Sequence, residues 1–143
     1  MSLERFVEAQ EKQQFSAKGT TYELALQEIR NGKKESHWIW YTFPQLEGFG
    51  LSYNSTYYGI KDLTEAEAYL QHPILGSRLI EISQALFTLD ETDPDKVVGW
   101  DKNKLKSSMT LFSQVKGAHP IFRDVLDKYY FGEMDVKTIA KLR

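Results

Sequence analysis

Two short strings, Thr20-Thr21-Tyr22-Glu23 and Thr64-Glu65-Ala66-Glu67, repeat one device. A threonine hydroxyl can accept from the amide three residues on, and the glutamate there can reach back to the threonine's own amide. A chain that spells this capping box twice, each time near apolar residues three and four apart, is written for helices. The same reading extends along most of the sequence. Leu3, Phe6, Val7 and Gln10 share a helical face behind Ser2, a candidate N-cap. Leu24, Ala25 and Ile29 lie in the helix that Thr20 opens, and Gly32 is placed to end it. The second box predicts a short helix ending near His72, and Pro73 suits the first turn of the next, with Leu75, Leu79, Ile82 and Leu86 inward. Asp101 is placed to cap a helix through Val115. Pro120 opens one with Ile121, Val125, Leu126 and Tyr129 on a face, ended by Gly132, and Asp135 caps a last one carrying Val136, Ile139 and Leu142. Residues 90–96, DETDPDK, read as a loop. The expectation is a single all-α domain, residues 1–143, of six to eight short helices.

Charge and composition then remove several kinds of function. Formal charge is −2 with a pI near 5.9, and no basic block stands out, so binding to nucleic acid through its phosphates is disfavoured. There is no cysteine, which excludes disulfides, thiolate nucleophiles and cysteine-held zinc. No run of 18 apolar residues occurs, and the first fifteen residues lack the apolar centre of a secretory signal. A soluble cytoplasmic protein, monomer or weak dimer, is the expectation. The 41% hydrophobic content is that of a chain with a real core, not a disordered one.

Residues 36–50, SHWIWYTFPQLEGFG, hold the densest aromatic cluster. The run 37–43 fits a buried helix or a short strand equally by periodicity. A lone strand would leave its backbone donors unpaired, so a short helix ended before Pro44 is preferred. On such a helix His37, Trp40, Tyr41 and Pro44 share a face.

Recognisable catalytic motifs are absent: there is no nucleophile elbow, no phosphate loop and no complete dinucleotide fingerprint. The three histidines, His37, His72 and His119, have no metal-ligand spacing, so neither a metal site nor a cofactor is expected. His72 and His119 each precede a proline and read as turn or capping residues. In KLKSSMTLF, residues 104–112, Leu105, Met109 and Phe112 form a core stripe, while Lys104, Ser107 and Ser108 gather on the adjacent face. One cation and two hydroxyls suit a phosphate or a carboxylate. They equally suit close helix packing with the lysine in water.

Four segments together resemble the family called domain of unknown function 1810: HWIWYTFPQLEGFGLS, YGIKDLTEAEAYLQHPILGSRL, KLKSSMTLF and FRDVLDKYYFGEMD. The resemblance spans nearly the whole chain and implies a small, mainly helical domain, with no established activity. Members often carry the label calpastatin. That label fits poorly, since an inhibitor of that kind is a repetitive, disordered chain and this one is aromatic-rich and capped. The family pattern singles out the polar residues His37, Gln45, Ser52, Lys104, Ser107 and Ser108. Combined with the residue chemistry, it suggests a pocket for a small anionic or nucleotide-like ligand. Trp40 and Tyr41 would stack on a ring, Gln45 would read its edge, and Lys104, Ser107 and Ser108 would hold the anion. Ser52 belongs to the ligand set by the resemblance alone. Were the protein an enzyme, His37 would move the proton. The alternative is a protein-interaction module that presents the aromatic segment 37–49.

Overall fold

The capping box at Thr20 forms in full: its hydroxyl accepts from the Glu23 amide, and the Glu23 carboxylate accepts from the Thr20 amide. A computed structural model describes residues 2–13 and 19–143. Seven helices of two turns or more carry the fold: α1 (Glu4–Glu11), α2 (Thr21–Arg30), α5 (Leu63–Gln71), α6 (Leu75–Thr88), α8 (Lys102–Ser113), α9 (Ile121–Tyr130) and α10 (Val136–Leu142). Between them lie three of about one turn, α3 (Ile39–Thr42), α4 (Tyr53–Tyr57) and α7 (Pro94–Val98), and a 3-10 turn, Gly99–Asp101. Among the described residues there is no strand. A single parallel bridge joins Leu46 to Ile60, through Glu47 N–H to Ile60 O at 2.9 Å and Ile60 N–H to Gln45 O at 2.9 Å.

Helix α8 is the central element. Seven of its residues, Leu105 and Ser107 through Phe112, are buried, which leaves only a narrow open strip that includes Asn103 and Lys106. It packs against α5, α7, α9 and α10, while α6 lies on α2, α5 and α9. A column of rings crosses this core: Tyr58 to Phe6, Phe6 edge-on to Tyr69 at 5.1 Å, Tyr69 to Phe112, and Phe112 to Phe122. Aromatic pairs in such tilted arrangements add to their area burial and fix the mutual setting of the helices that carry them.

The aromatic run 37–43 becomes the short helix α3 and ends before Pro44. Trp38 precedes it and is fully buried, its indole N–H donating to Glu28 at 2.9 Å. Glu28, buried on α2, also accepts from the amides of Glu35 and Ser36 and from the Ser36 hydroxyl. Burial works to raise its pKa, but these four donors outweigh burial and hold the carboxyl below the ordinary glutamate range. One acid thus pins the turn that delivers the aromatic segment.

Several local signals are resolved differently from their sequence reading. Ser2 does not cap α1: the N-cap is Leu3, and the Ser2 carbonyl instead accepts from the buried Arg5. Arg5 also donates to Tyr57 O, Gly59 O and the Glu65 carboxylate. The α5 cap is Asp62, not Thr64, because Asp62 sits in extended backbone with its Oδ1 2.9 Å from the Glu65 amide. Asp62→Ala is therefore expected to lower stability by about 1 kcal/mol, and Thr64→Ala to leave it within about 0.5 kcal/mol, as read by urea unfolding. The acidic 90–96 stretch is only half a loop: Asp93 caps α7 and Pro94 is its first residue. Asp101 precedes α8 without capping it, its carboxylate bridging Lys34 at 2.9 Å and Lys104 at 3.4 Å. On α10 Asp135 does cap, but Val136 is exposed and Thr138 is the buried residue. His72 and His119 have capping roles: His72 Nδ1 accepts from Ile74 and Leu75, and His119 Nδ1 from Ile121.

Candidate functional site

The bridge between Leu46 and Ile60 holds residues 45–49 across the first half of α8, and the start of α10 closes the third side. Between these segments lies a groove of about 630 Å³, within the size range of small-molecule sites. Gln45, Gly48 and Phe49 line it from the loop. Asn103, Lys104, Lys106 and Ser107 line it from α8, and Asp135, Val136 and Lys137 from α10.

Three lysines against one aspartate make the groove cationic in a chain whose net charge is negative. The aspartate is already committed: Asp135 accepts from the Thr138 amide at 3.0 Å and the Thr138 hydroxyl at 2.6 Å. Its own amide donates to the buried Thr110 hydroxyl, which fixes α10 against α8. The lysines are tethered more loosely. Lys104 shares Asp101 with Lys34, Lys106 reaches the largely exposed Glu133 at 3.6 Å, and Lys137 has no ion pair among the described residues. The pair to the exposed Glu133 contributes little, so Lys106 remains available to a competing anion, while Lys104 holds an Asp101 that is already neutralised by the nearly buried Lys34. The side chains of Gln45, Asn103 and Ser107 likewise make no hydrogen bond among the described residues.

Backbone at the lip is set by Gly48, whose φ of +92° is a left-handed conformation that side chains rarely adopt. Lys141 of α10 donates to the Glu47 carbonyl beside it and stands 5.5 Å from the centre of the Phe49 ring. This pins the lip to α10 and adds a fourth cation next to the groove.

Of the residues singled out from sequence, Gln45, Lys104 and Ser107 come together here. Trp40 stands at the edge, half-buried, with Lys104 5.9 Å from its ring centre. Ser108, the next residue after Ser107, points into the core: it is fully buried and its hydroxyl has no partner among the described residues. Tyr41 turns away to pack on Tyr58 at 5.2 Å, and burial pushes its pKa up. Ser52 is exposed and caps α4 through the Ser55 amide. His37 is exposed and does not line the groove; its carbonyl accepts from the Tyr41 hydroxyl. Sequence reasoning missed Asn103, Lys106, Phe49 and Lys137. The first two could have been found by widening the Lys104–Ser107 face of α8 on the Ser107 side, where Asn103 lies four residues before Ser107 and Lys106 one, whereas nothing local marks Lys137.

An all-helical single domain with a lysine-rimmed groove on its central helix is what fold and site define, and no helix among the described residues is long and apolar enough to cross a membrane. The chain belongs to the family described as Protein of unknown function (DUF1810), which residues 1–142 match. It is similar to the conserved hypothetical protein Rv1873 from Mycobacterium tuberculosis, whose crystal structure has 41% sequence identity and a TM-score of 0.90. That likeness covers 98% of this chain and 95% of the other. Among curated proteins no relative matches.

Proposed function

We propose that the protein binds a small anionic ligand, of the size of a phosphate ester or a nucleoside monophosphate, in the groove between α8, the 45–49 loop and α10. One observation carries this reading: side chains from three separate segments converge there with their polar atoms unused. Gln45, Asn103, Ser107 and Lys137 have no side-chain partner among the described residues, Lys106 pairs only with the largely exposed Glu133, and Lys104 shares Asp101 with Lys34. Polar groups gathered without partners are positioned for something other than the fold. The half-buried Phe49 ring supplies one flat apolar surface for a base or sugar. His37 lies outside the groove, so the reading is of binding, with no proton transfer assigned to it. Burial of Trp38 removes one ring from the surface that the interaction-module reading needs, while Trp40 and Phe49 stay partly exposed.

The test is thermal unfolding of the full chain against inorganic phosphate, sugar phosphates, nucleoside monophosphates and small dicarboxylates. A ligand at a hundred times its dissociation constant adds about 2.7 kcal/mol, which in a domain of this size raises the melting temperature by roughly 8–10 °C. The shift is expected to fall by more than half in Lys137→Ala and Lys104→Ala, both outside the core. A panel that leaves the melting temperature unmoved, or a shift that survives both substitutions, rejects the reading.

A further inference from the structure

A second cavity, of about 370 Å³, opens where α5, α6 and α9 meet the turn after α8. Its floor is apolar: Leu70, Ile80, Val115 and Phe122 line it, and Phe122 is held from beneath by Phe112 at 5.8 Å between ring centres. Two donors stand in its wall, both from the turn 115–119. Lys116 has no ion pair among the described residues. His119 is constrained by its capping role, because Nδ1 accepts the Ile121 amide at 3.0 Å. In the neutral ring the proton must therefore sit on Nε2, which has no protein partner among the described residues. The helix cap thus sets the tautomer that makes His119 a donor.

The opposite wall carries Glu67, whose carboxylate accepts from Gln71 at 3.3 Å. Glu67 is exposed and is the one acid among the lining residues, beside one lysine and one imidazole N–H, a balance that suits a single negative charge on the ligand better than two. We propose that this cavity is a binding site for a small apolar monocarboxylate, an alkyl or arylalkyl acid. Its hydrocarbon would lie on Leu70 and Ile80, above the buried Phe122, and its carboxylate would bridge Lys116 and His119 Nε2. The apolar floor supplies the affinity and the two donors fix the orientation, the usual division in a small-molecule site. This site shares no lining residue with the groove on α8 and does not depend on it.

The experiment is an amide NMR titration of the full chain with octanoate and with 4-phenylbutyrate, beside 1-octanol as the uncharged control. Saturable shifts are expected at residues 115–119 and at Leu70 and Ile80, with the alcohol bound at least about tenfold more weakly, a difference of about 1.4 kcal/mol. Lys116→Ala should weaken octanoate by about tenfold or more. His119→Asn should do the same while keeping a side-chain acceptor for the Ile121 amide, so an unchanged melting temperature separates lost binding from a lost cap. Should His119→Asn fail to fold, Lys116→Ala on its exposed turn carries the test alone. The proposal is overturned if no saturable shift appears, if shifts fall at residues 45–49 instead, if octanol matches octanoate, or if Lys116→Ala binds octanoate like the wild type.

Discussion

Replacing Glu28 by alanine is expected to destabilise the fold by about 4 kcal/mol, seen as a fall of roughly 12–15 °C in melting temperature. The carboxylate is the shared acceptor for two amides, a hydroxyl and the buried Trp38 indole, at 2.6–2.9 Å. Alanine leaves those donors without an acceptor, each at a cost of about 1–3 kcal/mol less whatever water can enter. Glutamine keeps an oxygen where Oε1 stands and can turn its amide toward Ser36, so it should lose only the charge assistance, about 2 kcal/mol. The sign of the pH dependence follows from the lowered pKa. A carboxyl that ionises more readily folded than unfolded contributes stability that is complete above the ordinary value of 4.5 and lost as the pH falls through the folded value. Urea unfolding between about pH 6 and pH 3 should show the wild type losing its advantage over Glu28→Gln across that interval. A constant difference down to pH 3 would mean that the four donors do not favour the ionised form.

The second large effect is expected at Gly76, in the first turn of α6. A helical glycine changed to alanine normally gains about 1 kcal/mol. Here a Cβ would lie 2.0 Å from the Leu70 carbonyl oxygen and 2.8 Å from its carbon, backbone atoms that cannot rotate away. The helices α5 and α6 would have to part, and overpacking of this kind outweighs the propensity gain. Gly76→Ala should therefore cost about 3 kcal/mol net. Gly32→Ala provides the contrast: at φ +82° it is strained, but nothing lies within 4 Å of its Cβ, so about 1 kcal/mol is expected. Equal losses at the two positions would show that conformation, not the approach of α5 to α6, sets the cost. The same contact frames the second cavity, since Leu70 and Ile80 belong to these two helices.

What the sequence makes legible is what local chemistry decides. Thr20 and Glu23 need only each other, and Leu75, Leu79, Ile82 and Leu86 need only a helical period to point one way. Asp62 against Thr64 shows the limit: both are good caps, and the choice falls to the residue whose backbone stays extended once the loop from Ile60 is anchored to Gln45. The buried polar residues lie further out of reach. Nothing local marks Arg5 and Glu28 as buried, and Gln10 is visible only as a member of an apolar face, because their partners, Glu65, Trp38 and Tyr41 among them, are up to 60 positions away. The same applies to the groove. Lys104 and Ser107 are visible as a helical face, and Gln45 through the family pattern. Ser107 and Ser108 look alike in sequence, yet one lines the groove and the other is sealed in the core, a distinction made only when α5, α7, α9 and α10 pack around α8.

The three tryptophans sit in three solvents. Trp38 is 1% exposed and hydrogen-bonded to a carboxylate, Trp40 is half-buried beneath an ammonium at the edge of the groove, and Trp100 is 99% exposed. The light this chain emits is therefore a sum of three signals with different colours and different access to quenchers. Iodide is expected to reach Trp100 first, a ligand bound as proposed would perturb Trp40 by drawing Lys104 away, and only loss of the core should redden Trp38. The proposed binding and unfolding should therefore be separable in one cuvette, with no label added.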